Sequence, residues 1–417
     1  MMKFQKPKGT KDILPKDTWK WHYVEKTIQE VMSLYNFGEI RVPTFEYTEL
    51  FKRGVGTETD IVGKEMYTFL DKNGDSLTLR PEGTASVMRS YLENGLGGVN
   101  PIHKMYYITN MFRYEKPQAG RYREHTQFGA EIIGSSSYLA DVEVILLAKE
   151  VFNRLGIMNF RLKINSIGKP EERKNYINTL KEYLNSHIEG LSEESKKRID
   201  TNTLRVLDSK NPADKAITDN APKILDSLTA ESRERFDNVL NELARLGVDF
   251  EVDYRVVRGL DYYSDTTFEF LSESLGAQDA IGGGGRYDGL VEQLGGKPTP
   301  GIGFGSGIER VIMVAEANGF TFGEQAVPFI FFASFGEEAR TKAYELMIAL
   351  RKANVACECD LLDRSFKAQM REANRLGAKY VCILGEDELK KGTVMLKNMA
   401  NSAQEEVPFD KIMERAV

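Results

Sequence analysis

Arginine is well suited to polyphosphates, because its guanidinium fork meets phosphate oxygens two at a time. Residues 104 to 126 concentrate basic charge: Lys104, Arg113, Lys116, Arg121 and Arg123 stand against Glu115 and Glu124, interleaved with Tyr106, Tyr107, Phe112, Tyr114 and Tyr122. Arg113 and Arg121 flank a Pro-Gln-Ala-Gly turn, so a hairpin there would bring both guanidinia together. That pair is either a polyphosphate clamp or a solvated strand face with routine ion pairs. Four consecutive glycines, Gly282 to Gly285, lead into Arg286, Tyr287 and Asp288. Glycine weakens a strand interior, so such a run marks a ligand or a second backbone passing closely. The run GIGFGSGIER again sets small residues before a helix carrying Glu309 and Arg310. Arg310 could reach back over a flat floor of glycine, or the segment is simply tight strand–helix packing.

Other chemistries find little footing. Gly63-Lys64 is followed by Glu65 and Gly296-Lys297 by Pro298, so there is no phosphate-binding GxxxxGK[ST] loop. No GxGxxG sits in a strand–turn–helix frame, and GxSxG, Cys-x-x-Cys and His-x-x-x-His are absent. His22, His103, His125 and His187 stand singly and read as structural or surface residues. Cys357 and Cys359 alternate, which faces both to one side of a strand. Positioning and charge stabilisation remain.

The elements that must hold these residues follow from periodicity. Trp21, Val24, Ile28, Val31, Met32 and Tyr35 predict an amphipathic helix from Asp17 to Tyr35. EIRV reads as a strand meeting Pro43, residues 105–113 and 121–131 as a hairpin, Tyr138 to Leu155 as a helix, and FRLKINS as another strand. Between Lys169 and Gly247 the composition turns polar with helical spacing, predicting a helical insertion; strands return from Phe250 to Gly307. EANGFTFGEQAVP is the expected linker to a final unit in which PFIFFAS, VACECD, KYVCIL and TVMLKN alternate with helices, a small doubly wound α/β pattern. A length of 417 residues suits two to four domains of about 150 residues. Hydrophobic content of 41% and charged content of 28% are those of a globular chain with a large core. No window nears 18 apolar residues, so no membrane partner is expected. The opening MMKFQKPKGTKDILP has lysines without an apolar stretch, so a secretory signal is not expected. Three cysteines cannot frame a disulfide scaffold, and a cytoplasmic location is the expectation. Net charge of −6 offers nucleic acid no global attraction, so such contact must come from local basic patches.

At these residues a family resemblance emerges. RVPTFEYTELF, FRYEKPQAGRYREHTQFGAE and GIGFGSGIER resemble motifs one, two and three of the class II aminoacyl-tRNA synthetases. RGLDYY and GGGGRYDGL resemble the two histidine-specific motifs of the histidyl-tRNA synthetase family, which RPEGT and KGTKDILP also fit. The likeness covers nearly the whole chain. It implies an α+β catalytic domain on an antiparallel sheet over 1–325, interrupted by the helical insertion at 169–247, and an anticodon-binding α/β domain over 326–417. It implies activation of L-histidine with ATP to histidyl-adenylate and transfer to the 3′ end of histidine tRNA.

By the same resemblance Arg113 contacts the α-phosphate, Arg258 sits opposite it as a second catalytic arginine, and Arg121 and Arg310 hold the β/γ end of ATP. Glu82, Gly83, Thr84 and Gln127 take the ammonium and carboxylate region. Glu131 and Tyr263 address the imidazole nitrogens, and Tyr262 and Tyr287 line the pocket. Mg²⁺ accompanies ATP as substrate, with no tightly bound protein-ligated metal. A homodimer meeting at motif one and an insertion over the acceptor stem are also implied. Two alternatives stand beside this. One is a non-catalytic, synthetase-like regulatory subunit of ATP phosphoribosyltransferase; the other is a nucleic-acid-binding module without chemistry. The retained arginines and the C-terminal unit weigh against the first, and the intact pocket residues against the second.

Overall fold

The computed structural model describes residues 4–56, 59–118, 120–257, 260–275 and 280–416. They divide into two compact units, Met1–Phe322 and Gly323–Val417. The first is built on an eight-stranded sheet in the order Gly38–Glu39, His103–Phe112, Glu124–Ile133, Gly301–Gly307, Ala280–Arg286, Ser264–Leu271, Arg161–Ser166, Glu251–Val252. Pairing is parallel at each outer edge and antiparallel between.

The period of two along each strand separates core from site. Phe128, Ala130 and Ile132 join Ile302 and Phe304 in the main hydrophobic core, packed against the helices Pro15–Leu34, Tyr138–Arg154 and Ile308–Ala317. The intervening residues, His125, Gln127, Gly129 and Glu131, lie on the opposite face. Across the ladder Glu131 faces Gly303 and Gly129 faces Gly305, so the even members of GIGFGSG build the core while the odd glycines leave room on the other side.

The hairpin expected at 105–113 and 121–131 forms with strands His103–Phe112 and Glu124–Ile133. The strand expected at EIRV is shorter, Gly38–Glu39. Ile40 still donates its N–H to Tyr106 O at 2.8 Å. Beyond it, the carbonyls of Val42 and Pro43 accept instead from the Arg80 guanidinium at 2.8 and 2.7 Å. Thus the buried Arg80 of RPEGT fastens the motif-one proline to the sheet. A separate three-stranded sheet, Phe45–Tyr47, Ser76–Leu79 and Tyr67–Leu70, leaves Phe45, Tyr47, Phe69 and Leu70 exposed.

Residues 169–247 are helical as expected, with Pro170–Ser186, Glu193–Thr201 and Pro212–Thr218 around a satellite core containing Tyr176, Leu180, Leu184 and Ile199. Its last helix, Ala230–Arg245, instead sends Phe236, Val239 and Leu243 into the main core. The expected linker also begins later than its composition suggests. Phe320 and Phe322 meet edge to face and both pack on Tyr23, so the first unit closes at Phe322.

The second unit is a five-stranded sheet in the order Cys357–Cys359, Ile330–Ser334, Tyr380–Leu384, Thr393–Asn398, Gln404–Pro408. The first three are parallel and the last two antiparallel. Ile330 and Phe332 pack with Ala339, Ala343 and Met347 of one helix, while Phe331 and Ala333 pack with Ala373 of another. Helices therefore cover both faces, as a doubly wound unit requires.

Candidate active site

Three guanidinia converge on a cleft of about 830 Å³ lined by Arg113, Arg121, Gln127, Arg310 and, from the glycine-rich strands, Gly282, Gly283, Gly305 and Gly307. Each is aimed by a main-chain or carboxylate partner. Arg113, at the end of the first hairpin strand, donates from Nε to Pro81 O at 2.7 Å. Arg121 pairs with the buried Glu115, which also lies 3.9 Å from Arg113. Arg310, on the first turn after the glycine strand, donates to Gly120 O at 2.9 Å and to Ala280 O. Arg113 and Arg121 thus reach one cleft, with Arg310 bonded to the turn between them.

The rest of that basic stretch does other work. Arg123 lies over the Tyr114 ring at 3.7 Å and donates to Glu115 O at 3.2 Å and Lys8 O at 3.4 Å, so it ties the N-terminal segment to the hairpin loop. Lys104 pairs with Glu143. Two further cleft residues, His125 and Glu309, carry no expected role in the sequence. His125, expected as a structural or surface residue, lines the cleft; burial, then Arg113 and Arg310, push it down to about 3, so the imidazole stays neutral. Glu309 accepts the Thr126 N–H at 2.9 Å, and burial pushes it up to about 7. The signal for His125 was there: it shares the alternate face of Gln127 and Glu131.

A buried polar cluster adjoins the cleft at Gln127. Glu131 is fully buried, and its two oxygens accept from the hydroxyls of Thr84, at 2.8 Å, and Tyr287. Burial raises this carboxyl to about 8 against both donors. Its space exists because position 303 is glycine: a Cβ there would fall on the Glu131 carboxylate, and one on Gly305 would strike the Gln127 amide. Gln127 donates to Tyr107 OH at 3.0 Å, and Gly83 lets the Tyr107 ring approach its backbone. Glu82 is spent on the helix Thr84–Glu93, accepting the N–H groups of Thr84 and Ala85 at 2.7 and 2.9 Å. Burial still raises its pKa. Tyr262 meets Tyr263 at 4.8 Å and Tyr287 at 5.7 Å between ring centroids.

The structure thus groups Glu82, Gly83, Thr84, Glu131, Tyr262, Tyr263 and Tyr287 as one buried cluster, and Arg113, Arg121 and Arg310 as the cleft, with Gln127 between. Arg258 lies outside the described residues. Asp253, on the same segment, is held by Lys163 at 2.5 Å and Arg255 at 2.9 Å. Arg286, from the same motif as Tyr287, is a buried structural residue bonded to Asp141 and, at 3.0 Å, to Asp288.

A cleft of arginines beside a buried acidic acceptor fits the activation of a small polar acid by a nucleotide, and comparison with known proteins specifies which family does it. The family described as histidyl-tRNA synthetase matches residues 9–311, and that of the anticodon binding domain matches 327–417. The chain belongs to the histidyl-tRNA synthetase family. A histidine–tRNA ligase of Acetivibrio thermocellus is 49% identical over 411 residues, covering 99% of both chains. One from Caldanaerobacter subterraneus subsp. tengcongensis is 48% identical, covering 99% of this chain and 98% of its own. The crystal structure of apo S. aureus histidyl-tRNA synthetase superposes with a TM-score of 0.83 at 36% identity, covering 99% of this chain and 100% of that one. Within this family the protein is an enzyme, a class II aminoacyl-tRNA synthetase, and the ligase reading stands over the regulatory-subunit one.

Proposed function

We propose that the chain ligates L-histidine to its tRNA and that its residues divide the work as follows. The observation that carries this reading is Glu131, a buried acceptor in a slot made by Gly303, further along the same sheet face as the arginine cleft. Imidazole presents two ring nitrogens, and leaving either unpaired when buried costs about 1–3 kcal/mol. Glu131 takes one and Tyr263 the other, exchanging the Thr84 and Tyr287 hydroxyls for substrate; Tyr262 and Tyr287 wall the ring. Glu82, Gly83, Thr84 and Gln127 face the ammonium and carboxylate.

The histidine carboxylate is already ionised at neutral pH, so it attacks the ATP α-phosphorus without a protein base. A carboxyl oxygen–phosphorus bond forms, the bond to the β-phosphate oxygen breaks, and pyrophosphate leaves. Arg113 and Arg258 stabilise charge on the α-phosphate oxygens, while Arg121 and Arg310 hold the β/γ end. Mg²⁺ enters with ATP through its phosphates. A terminal tRNA hydroxyl then attacks the histidyl carbonyl and releases AMP. The C-terminal unit takes the anticodon, and the insertion covers the acceptor stem. The exposed Phe45, Tyr47, Phe69 and Leu70 support a homodimer closing over the motif-one sheet. The work is placed in the cytoplasm, where these substrates meet.

The test is amino-acid-dependent ATP–pyrophosphate exchange with each standard amino acid. Exchange should be driven by histidine; exchange with none, or with another amino acid, would overturn the reading.

A further inference from the structure

The segment carrying Tyr262 and Tyr263 runs into Asp265, which sits where the helical insertion leaves the core. Asp265 has a φ of 47°, a left-handed backbone that costs a non-glycine residue energy, and Gly168 beside it has 65°. Ile167 donates its N–H to Asp265 O at 2.8 Å, and Asp265 donates its own to Gly168 O at 3.1 Å. The root of the insertion is thus bonded to the chain two residues past Tyr263.

A second tie closes the root upon itself. The buried Glu172 accepts the N–H of Lys169 at 2.7 Å, the N–H of Thr229 at 2.7 Å and the Ser232 hydroxyl at 3.0 Å. Lys169 precedes the first insertion helix and Thr229 the last, so one carboxylate joins the outgoing and returning chains. The next residue, Arg173, donates from its guanidinium to the main-chain carbonyl of Tyr263. Burial lowers its pKa while Asp261 and Asp265 act to keep it charged. Tyr263 immediately precedes the strand Ser264–Leu271, and the insertion supplies a donor to its carbonyl.

We propose that Arg173 is a positioning residue for the amino-acid pocket, through which the insertion fixes the Tyr263 backbone and thereby the ring that meets imidazole. The inference rests on the placing of Tyr263 in the histidine pocket proposed above. Because Glu172 clips both chains of the root, a displacement of the insertion is delivered to Arg173 and on to Tyr263, and histidine affinity becomes a property of where the insertion stands.

The experiment is pyrophosphate exchange by the full-length enzyme, titrating histidine at saturating ATP and ATP at saturating histidine. Arg173→Ala should raise the histidine KM about tenfold, the scale of one charge-assisted hydrogen bond, and leave the ATP KM within about twofold. Arg173→Lys, which keeps a donor but loses the fork, should fall between. Melting curves establish that each variant is folded; should the alanine variant not fold, Arg173→Met keeps the apolar stem and replaces it. A folded variant with unchanged histidine KM, or with both KM values raised equally, overturns the proposal. Tyr263→Phe, run beside them, separates the two ideas: if it too leaves the histidine KM unchanged, the pocket assignment fails, whatever Arg173 does.

Discussion

Glu131 holds its proton far more tightly in the folded chain than a carboxyl ordinarily does, at about 8 instead of 4.5, because burial disfavours its charge. Stability from that protonation is complete below about pH 4.5 and is lost as pH rises through about 8. Without substrate, the parent's melting temperature should therefore fall relative to that of Glu131→Gln across this window. Parallel curves in a pH series of thermal melts would remove the effect. The same substitution keeps the volume and loses an acceptor, so the histidine KM should rise by about 1–3 kcal/mol in free energy while ATP use changes little. Gly303→Ala attacks the site from the facing strand. Its Cβ would overlap the Glu131 carboxylate and come within 2.6 Å of Ala130 O. Histidine-dependent exchange should then collapse, and wild-type exchange in a folded Gly303→Ala protein would refute the slot. For Arg258 the expectation is kinetic. Arg258→Ala should slow adenylate formation about 10²–10³-fold in single turnovers, the scale of one lost charge-stabilising donor. A defect that vanishes at saturating ATP would make it a binding residue only.

Between elements, one buried joint is ionic. Arg286 and Asp141 are both fully buried, and Arg235 from the helix Ala230–Arg245 reaches the same Asp141 at 3.0 Å. Asp141→Ala takes the buried carboxylate from two guanidinia, at a cost of about 3–5 kcal/mol in denaturant unfolding, whereas replacing Asp141 and Arg286 together by leucine and methionine should recover much of it. Equal losses in single and double variants would show that packing, not charge, holds the joint. This joint also shows what sequence can and cannot reveal. GGGGRYD announced a close approach, and the glycines do make one, but the arginine beside them gave no sign of turning inward to a helix over a hundred residues away. The hairpin was readable because its turn and alternation are local. The site was readable as a set of arginines and glycines, but the opposition of Glu131 and Gly303 depends on register between distant strands. QEEVP was missed as a strand because only Val407 is buried on that polar edge. Phe320 and Phe322 were read as linker because their ring partner, Tyr23, lies near the other end of the same unit.

The two units invite separation. Deleting 323–417 should leave histidine-dependent exchange largely intact while aminoacylation of tRNA collapses, provided sedimentation shows the shortened protein folded and associated as the parent is. Equal loss of both activities would assign the second unit another role. Introducing glutamate at Phe45 and Phe69 should convert a dimer to monomers in the same sedimentation assay, and an unchanged sedimentation coefficient would place the interface elsewhere. All three cysteines, Cys357, Cys359 and Cys382, belong to the second unit. Cys357 is buried, with its thiol pushed up to about 11, and Cys382 is raised further by complete burial. Alkylating reagents can reach those two sulfurs only when that unit opens. Once the partly exposed Cys359 has reacted, the rate at which further mass is added in the presence of iodoacetamide is therefore a built-in clock for the second unit, set by its own opening equilibrium and silent about the first. Loading the enzyme with tRNA should slow that clock, and loading it with histidine and ATP alone should not.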